Sequence, residues 1–396
     1  MRLVSKRWQW TIALLFICSL ISLYFVPRAH ADGGAPNLAY VSGTSSGVSV
    51  IDVGQAKVTK TISVAGDPHT ILLSQDGGFL YVAQPAVGQV LVIRADTGRI
   101  FCTAHLPGEP SLLAIDPDMN SLYAAGLGSA RVTAIDPTNC KVLHTFGVNG
   151  SVYGLAVALT AGSSINGSTS NQLWVASTDR LTIFDDQTHQ TLAAVPLPER
   201  PQYLSIPPGE TVYVTTRQGS VDAVSLKTRE VRQILNGGIF GPMDYDALTG
   251  EVYVPDKQHN VLNVLSSVDT SMTTFPTEPE RVIHTDATPE SVAITNDGLL
   301  GFIALQGGQV AMLDLIAHSL VYTVDVGGTP HFIITGLYPP PVVLDTPTPA
   351  NNAILSQQTP IPQIFWVIVF FASLVTLIIV TMILVWQLRQ SLKIRR

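Results

Sequence analysis

Leu80-Tyr81-Val82-Ala83, Val90-Leu91-Val92-Ile93, Ile100-Phe101-Cys102-Thr103-Ala104 and Pro110-Ser111-Leu112-Leu113-Ala114-Ile115 follow one another across short polar gaps. Each run has strand length and is rich in β-branched, leucine and aromatic residues. The runs are apolar at consecutive positions, which is how a strand covered on both faces reads. The aromatic-led run recurs as Leu38-Ala39-Tyr40, Leu122-Tyr123, Leu173-Trp174, Val212-Tyr213, Val252-Tyr253 and Gly301-Phe302. Its aromatic positions, 40, 81, 123, 174, 213, 253 and 302, are spaced by 41, 42, 51, 39, 40 and 49 residues. A period near 40 filled with short strands is the repeat of a blade-built β-propeller. The sequence therefore predicts an all-β fold over residues 38–337: seven blades of four antiparallel strands.

The phase of the repeat also predicts how the ring closes. The chain enters on a blade's second strand, Leu38-Ala39-Tyr40, and leaves on an isolated first strand, His331-Phe332-Ile333-Ile334-Thr335. Pairing the last strand beside the first completes one blade and removes two open edges. Asp76-Gly77 and Asp297-Gly298 stand before strands, where a tight hairpin needs positive φ. Asp52, Asp96, Asp136, Asp185 and Asp314 recur after the middle strand, where a short carboxylate accepts backbone N–H groups and starts a turn. Two longer spacers, 160–172 and 270–287, read as loops projecting from the ring.

The ends carry different chemistry. A basic start, an apolar run from Trp8 to Val26 and Ala29-His30-Ala31 describe an export signal over residues 1–31, either cleaved after Ala31 or kept as an anchor. Residues 338–361 hold Pro339, Pro340, Pro341, Pro347, Pro349 and Pro360, the composition of a semi-rigid extended stalk. Ile364 to Trp386 is uncharged and long enough to span a bilayer, so a transmembrane helix is expected over 362–388. Arg389, Lys393, Arg395 and Arg396 follow in a basic tail, 389–396, which stays on the cytoplasmic side. The propeller is then extracytoplasmic on a single-pass anchor.

Of the 22 Lys and Arg residues, eight lie in those two end segments, leaving 14 against all 29 Asp and Glu, a net −15. An acidic surface repels phosphate backbones, which counts against a nucleic-acid role. Two cysteines, Cys102 and Cys140, fall outside the signal, too few for a disulfide scaffold and without metal-type spacing. They either form one bridge between neighbouring blades or stay apart, since outer strands of adjacent blades are expected to lie far from one another.

The units resemble the YVTN-repeat propellers found in exported and surface-layer proteins. Val48-Ser49-Val50-Ile51-Asp52, Gly66-Asp67-Pro68-His69, Gly328-Thr329-Pro330-His331 and Tyr213-Val214-Thr215-Thr216 carry the likeness. The resemblance implies a seven-bladed fold over about three quarters of the chain. It implies little about function, because a shared fold hosts unrelated activities.

Propellers bind at the mouth of the central channel, where each innermost strand begins. Aligning the units on Pro-His gives a ligand-contacting ring of His69, Ser111, Tyr153, Gln202, Met243, Glu290 and His331. His69, His331 and Glu290 fall in three successive blades. Two imidazoles and a carboxylate are a facial donor set for a divalent metal; the alternative is a structural role, as His follows this proline in the repeat itself. There is no Gly-x-Ser-x-Gly elbow, His-Glu-x-x-His or phosphate-binding loop, and no motif calls for another cofactor. Two functional readings follow. The first is a monomeric, non-enzymatic binding or scaffold module for a protein, cell-wall or small ligand. The second is an extracytoplasmic enzyme, a metal-dependent hydrolase or redox protein, with its site at the channel mouth.

Overall fold

Twenty-eight strands assemble into seven four-stranded antiparallel sheets in the computed structural model, which describes residues 38–335 apart from 119, 162–169, 270, 271 and 273. The expected signal (1–31), stalk (338–361), apolar helix (362–388) and basic tail (389–396) lie outside the described residues. Among the described residues no helix is long and apolar enough to cross a membrane.

The second blade shows the plan: Ile71–Leu73 innermost, then Phe79–Gln84, Gln89–Arg94 and, outermost, Ile100–His105. Its second strand is buried at every position but the first, because neighbouring blades cover both faces. Its outermost strand has a single buried residue, Ala104. Outer strands of other blades likewise bury one or two apolar residues, such as Ile62, Phe146 and Val324, and expose the rest. The seven aromatic residues that set the sequence period are all buried. Each contributes roughly 1.5–3 kcal/mol of hydrophobic stabilisation.

The ring closes as the repeat phase predicts. The first blade takes Leu38–Thr44, Gly47–Asp52 and Lys57–Ser63 from the start of the domain and Ile333–Thr335 from its end. Ala39 faces Thr335, Tyr40 faces Ile334 and Val41 faces Ile333. The pairing continues one step further, where Ser42 N donates to the Phe332 carbonyl at 2.9 Å.

Turn chemistry is also as expected. Asp52 accepts from Gln55 N at 2.9 Å, Asp136 from Thr138 N at 2.8 Å, and Asp314 from Ile316 N at 2.9 Å. Gly77 and Gly298 take φ values of 67° and 63°. Two expectations need correction. The spacer 270–287 is not all loop: Arg281–His284 forms the sixth blade's outermost strand, with Val282 opposite Asn263 and Ile283 opposite Leu262. Its alternation, Ile283 buried between exposed Val282 and His284, is that of a strand covered on one face only.

The second correction concerns the cysteines, which are bonded to each other with Cα atoms 5.8 Å apart. Cys102 lies on the second blade's outermost strand. Cys140 lies not on a strand but in the turn between Arg131–Asp136 and Lys141–Gly147 of the third blade, at φ 59°. That turn reaches toward the neighbouring blade, and Cys102 Sγ also comes to 4.0 Å from the Pro137 carbonyl. Separation of the outer strands is therefore no obstacle.

Between the third and fourth blades two buried carboxylates meet. Asp116 ends the third blade's innermost strand and is fully buried; Asp186, just past Arg180–Asp185, is 3% exposed. Asn171 Nδ2 donates to Asp116, at 3.1 and 3.0 Å from its two oxygens, and lies 2.9 Å from Asp118 Oδ2. No N–H or hydroxyl among the described residues reaches either Asp186 oxygen, and the carboxyl faces Asp116 instead. Burial, the facing Asp116 and the nearby charges of Asp185 and Asp118 push the Asp186 carboxyl up to about 9, so it keeps its proton at neutral pH.

Candidate functional site

The seven residues of the expected ring stand at or within two residues of the start of their innermost strands. His69 and His331 precede Ile71–Leu73 and Ile333–Thr335 by two, and Tyr153 and Met243 precede Gly154–Ala158 and Asp244–Tyr245 by one. Ser111, Gln202 and Glu290 lie inside Glu109–Asp116, Pro201–Ser205 and Pro289–Ile294, each directly after a proline. Proline has no N–H to give the ladder. The register accordingly shifts between Pro110 and Leu112, between Pro201 and Leu204, and between Pro289 and Ser291. A bulge of this kind re-aims the side chain it carries.

Below the mouth, the inner faces of the same strands enclose a cavity of about 100 Å³ lined by Leu72, Leu112, Leu155, Leu204, Ile294 and Phe332, among others. Asp244 is the acid on that wall. It accepts from Ile294 N at 2.7 Å, and burial pushes its carboxyl up to about 7 against the opposing effect of its backbone donors.

At the mouth the structure brings His69 and His331 together. Their rings stack with centroids 4.4 Å apart and planes 24° from parallel. Asp67, rather than Glu290, joins them: its Oδ1 accepts from His331 Nε2 at 2.9 Å, and its Oδ2 lies 3.9 Å from His69 Nε2. Asp67 is exposed, while both histidines are half-buried. Burial first, then the neighbouring His331, lowers the His69 imidazole below its usual range, with Asp67 opposing. Glu290 is engaged elsewhere, pairing with Lys257 Nζ from the preceding blade. Tyr153 receives the Arg217 guanidinium over its ring, 4.5 Å from the centroid.

The backbone around the histidines is held by Ser42, which is fully buried. Its Oγ donates to the His69 carbonyl, and its own carbonyl accepts from His331 N at 3.1 Å. One serine thereby fixes both sides of the closing seam. Gly43 beside it has φ 75°, and a Cβ there would strike the Thr329 carbonyl and lie 2.7 Å from His331 Cδ2. Only glycine satisfies both demands. Asp67 went unmarked in the sequence although it sits inside Gly66-Asp67-Pro68-His69; the matching motif, Gly328-Thr329-Pro330-His331, has threonine in its place. That difference between two otherwise matched motifs was the available signal.

No protein-family model matches the sequence, and no curated protein does. Solved structures match the fold. The Myceliophteria thermophila Cps50 (Swd1) β-propeller domain is 16% identical with a TM-score of 0.57, over 68% of this chain and 89% of that one. The dihydro-heme d1 dehydrogenase NirN in complex with DHE is 13% identical with a TM-score of 0.55, over 78% of this chain and 76% of that one. Kuenenia stuttgartiensis hydrazine synthase is 16% identical with a TM-score of 0.51, over 66% of this chain and 87% of that one. At these identities the likeness defines a class, the seven-bladed β-propeller, and carries no activity across.

Proposed function

We propose that the chain is a YVTN-type propeller, tethered to a membrane, that works outside the cytoplasm as a non-enzymatic binding or scaffold module for a protein, cell-wall or small ligand. The observation that carries this reading is the asymmetry of the channel mouth. Seven positions at the starts of the innermost strands hold His331, His69, Ser111, Tyr153, Gln202, Met243 and Glu290, six of them half-buried and Met243 buried, above a channel whose wall mixes Leu72, Leu112 and Ile294 with Thr70, Ser205 and Asp244. The channel cavity of about 100 Å³ is well below the roughly 300–1,000 Å³ of small-molecule pockets, so contact falls to the rim. The Cys102–Cys140 bond supports an oxidising compartment outside the cytoplasm. The uncharged run 364–386 and its basic tail support the tether. The acidic balance weighs against nucleic acid.

The test is cross-linking and co-purification of the full-length protein from its envelope fraction, run beside a Tyr153→Ala/Gln202→Ala variant that folds normally. A partner or wall fragment recovered with the parent and lost with the variant supports the reading. Recovery of nothing, or of material indifferent to the rim, overturns it. The Asp67–His69–His331 grouping favours a second reading, a metal-dependent hydrolase or redox protein with its site at the same mouth. Turnover that disappears in His69→Gln would distinguish it.

A further inference from the structure

Asp67, His69 and His331 each offer one ligand atom, and these atoms lie within 4.8 Å of one another. We infer that this trio is a binding site for a first-row divalent transition ion, of which zinc is the reference case, and that the ion staples the closing strand to the second blade.

The donor chemistry selects the ion class. Two imidazole nitrogens with one carboxylate oxygen suit zinc, nickel, cobalt or copper, whereas magnesium and calcium prefer all-oxygen sets. Three protein ligands leave positions open toward solvent, and the exposed side of Asp67 gives the ion a path in.

The scaffold holds the ligands before any ion arrives. Asp67 and His69 come from one tight loop, in which Gly66 and Asp67 both take positive φ, 74° and 48°. Pro68 and Pro330 fix the backbone just before each histidine. Ser42 clamps the two histidine segments to each other through the His69 carbonyl and His331 N. Stacking keeps the two imidazoles side by side with centroids 4.4 Å apart, and each ring turns about its Cβ–Cγ bond to aim its nitrogen at a shared ion. The contact linking His331 Nε2 to Asp67 Oδ1 at 2.9 Å already makes a nitrogen and a carboxylate oxygen neighbours: an ion takes the place of the proton between them, and the neutral ring carries its proton on Nδ1.

The position gives the ion a mechanical role. Asp67 and His69 belong to the loop between the first and second blades, and His331 to the segment that leads into Ile333–Thr335. A metal bond here joins residues 264 positions apart in sequence across the one place where the ring is not continuous in the chain. An ion that binds only the closed ring raises its stability by mass action.

The proposal stands apart from the partner-binding reading, because metal is measured directly and without a partner. The full-length protein, stripped with chelator and held in detergent, is titrated with zinc by calorimetry and with cobalt by visible absorption. The expected result is one equivalent bound, with affinity reduced by more than about 100-fold in His69→Gln and His331→Gln, beyond the loss typical of an outer partner. Asp67→Asn weakens binding, and Glu290→Gln leaves it unchanged. Zinc raises the thermal midpoint of the parent and not that of His331→Gln, whose circular dichroism without metal matches the parent. Absence of stoichiometric binding, or binding indifferent to both histidine variants, overturns the proposal. Loss of binding in Glu290→Gln with none in Asp67→Asn overturns the assigned carboxylate.

Discussion

Replacing Asp186 by asparagine should make the propeller more stable, and increasingly so as pH rises. Asp186 is 3% exposed, without an N–H or hydroxyl donor among the described residues, and faces the buried Asp116. Two carboxylates in such contact cannot both ionise, so the folded protein holds a proton that the unfolded chain releases near pH 4. The native state then binds more protons than the unfolded state between the ordinary carboxylate value and about 9. Stability falls across that window by up to 1.36 kcal/mol per pH unit. From pH 5 to pH 8 this amounts to at most about 4 kcal/mol, reduced in practice as the site relaxes around the ionised Asp186. The side-chain amide of the Asp186→Asn variant keeps an N–H for Asp116 without having to hold a titratable proton. The assay is urea unfolding of both proteins at pH 5, 6, 7 and 8. The gap between Asp186→Asn and the parent should widen steadily with pH to a few kcal/mol. Parallel pH curves, or a variant less stable at every pH, would refute the reasoning and point instead to a cation between the two acids.

Cys102→Ser with Cys140→Ser opens a loop of 38 residues, for which chain entropy predicts a loss of about 4 kcal/mol. Denaturant unfolding of the parent under reducing conditions should match the double variant, since both lack the same link. Gly43→Ala forces a non-glycine residue to φ 75° and a methyl group against Thr329 and His331. It should cost more than about 2 kcal/mol by thermal denaturation.

The ring was legible in the sequence because the blades repeat the same demand: in all seven an aromatic strand buried on both faces and a half-exposed outer strand, and in five of them a turn-forming aspartate. Seven copies of a weak signal make a strong one, and their phase alone revealed that Leu38 and Thr335 must end in one blade. The outer strand Arg281–His284 was less legible, since Val282 and Ile283 alternate over too few residues to stand out in a long spacer. The ring positions at the mouth followed from the repeat, yet their pairing did not. Whether Glu290 or Asp67 reaches the histidines depends on which way each side chain leaves a bulged strand or a left-handed turn, and on Lys257 being near enough to claim Glu290. The disulfide was ambiguous for a related reason: Cys140 meets Cys102 from a turn and not from a strand, and which turn lies against the neighbouring blade's outer strand is not encoded in the spacing of two cysteines.

Amide hydrogen exchange across the closing seam of the intact chain tests the central claim most directly. Ring closure predicts that the alternate amides of segment 332–335 that point at Leu38–Thr44 are protected as strongly as those of Tyr40 and Val41, and that both sets lose protection together as denaturant rises. Rapid exchange at those amides of 332–335 while Tyr40 and Val41 stay protected would contradict it, leaving a first blade of three strands and a ring that does not close.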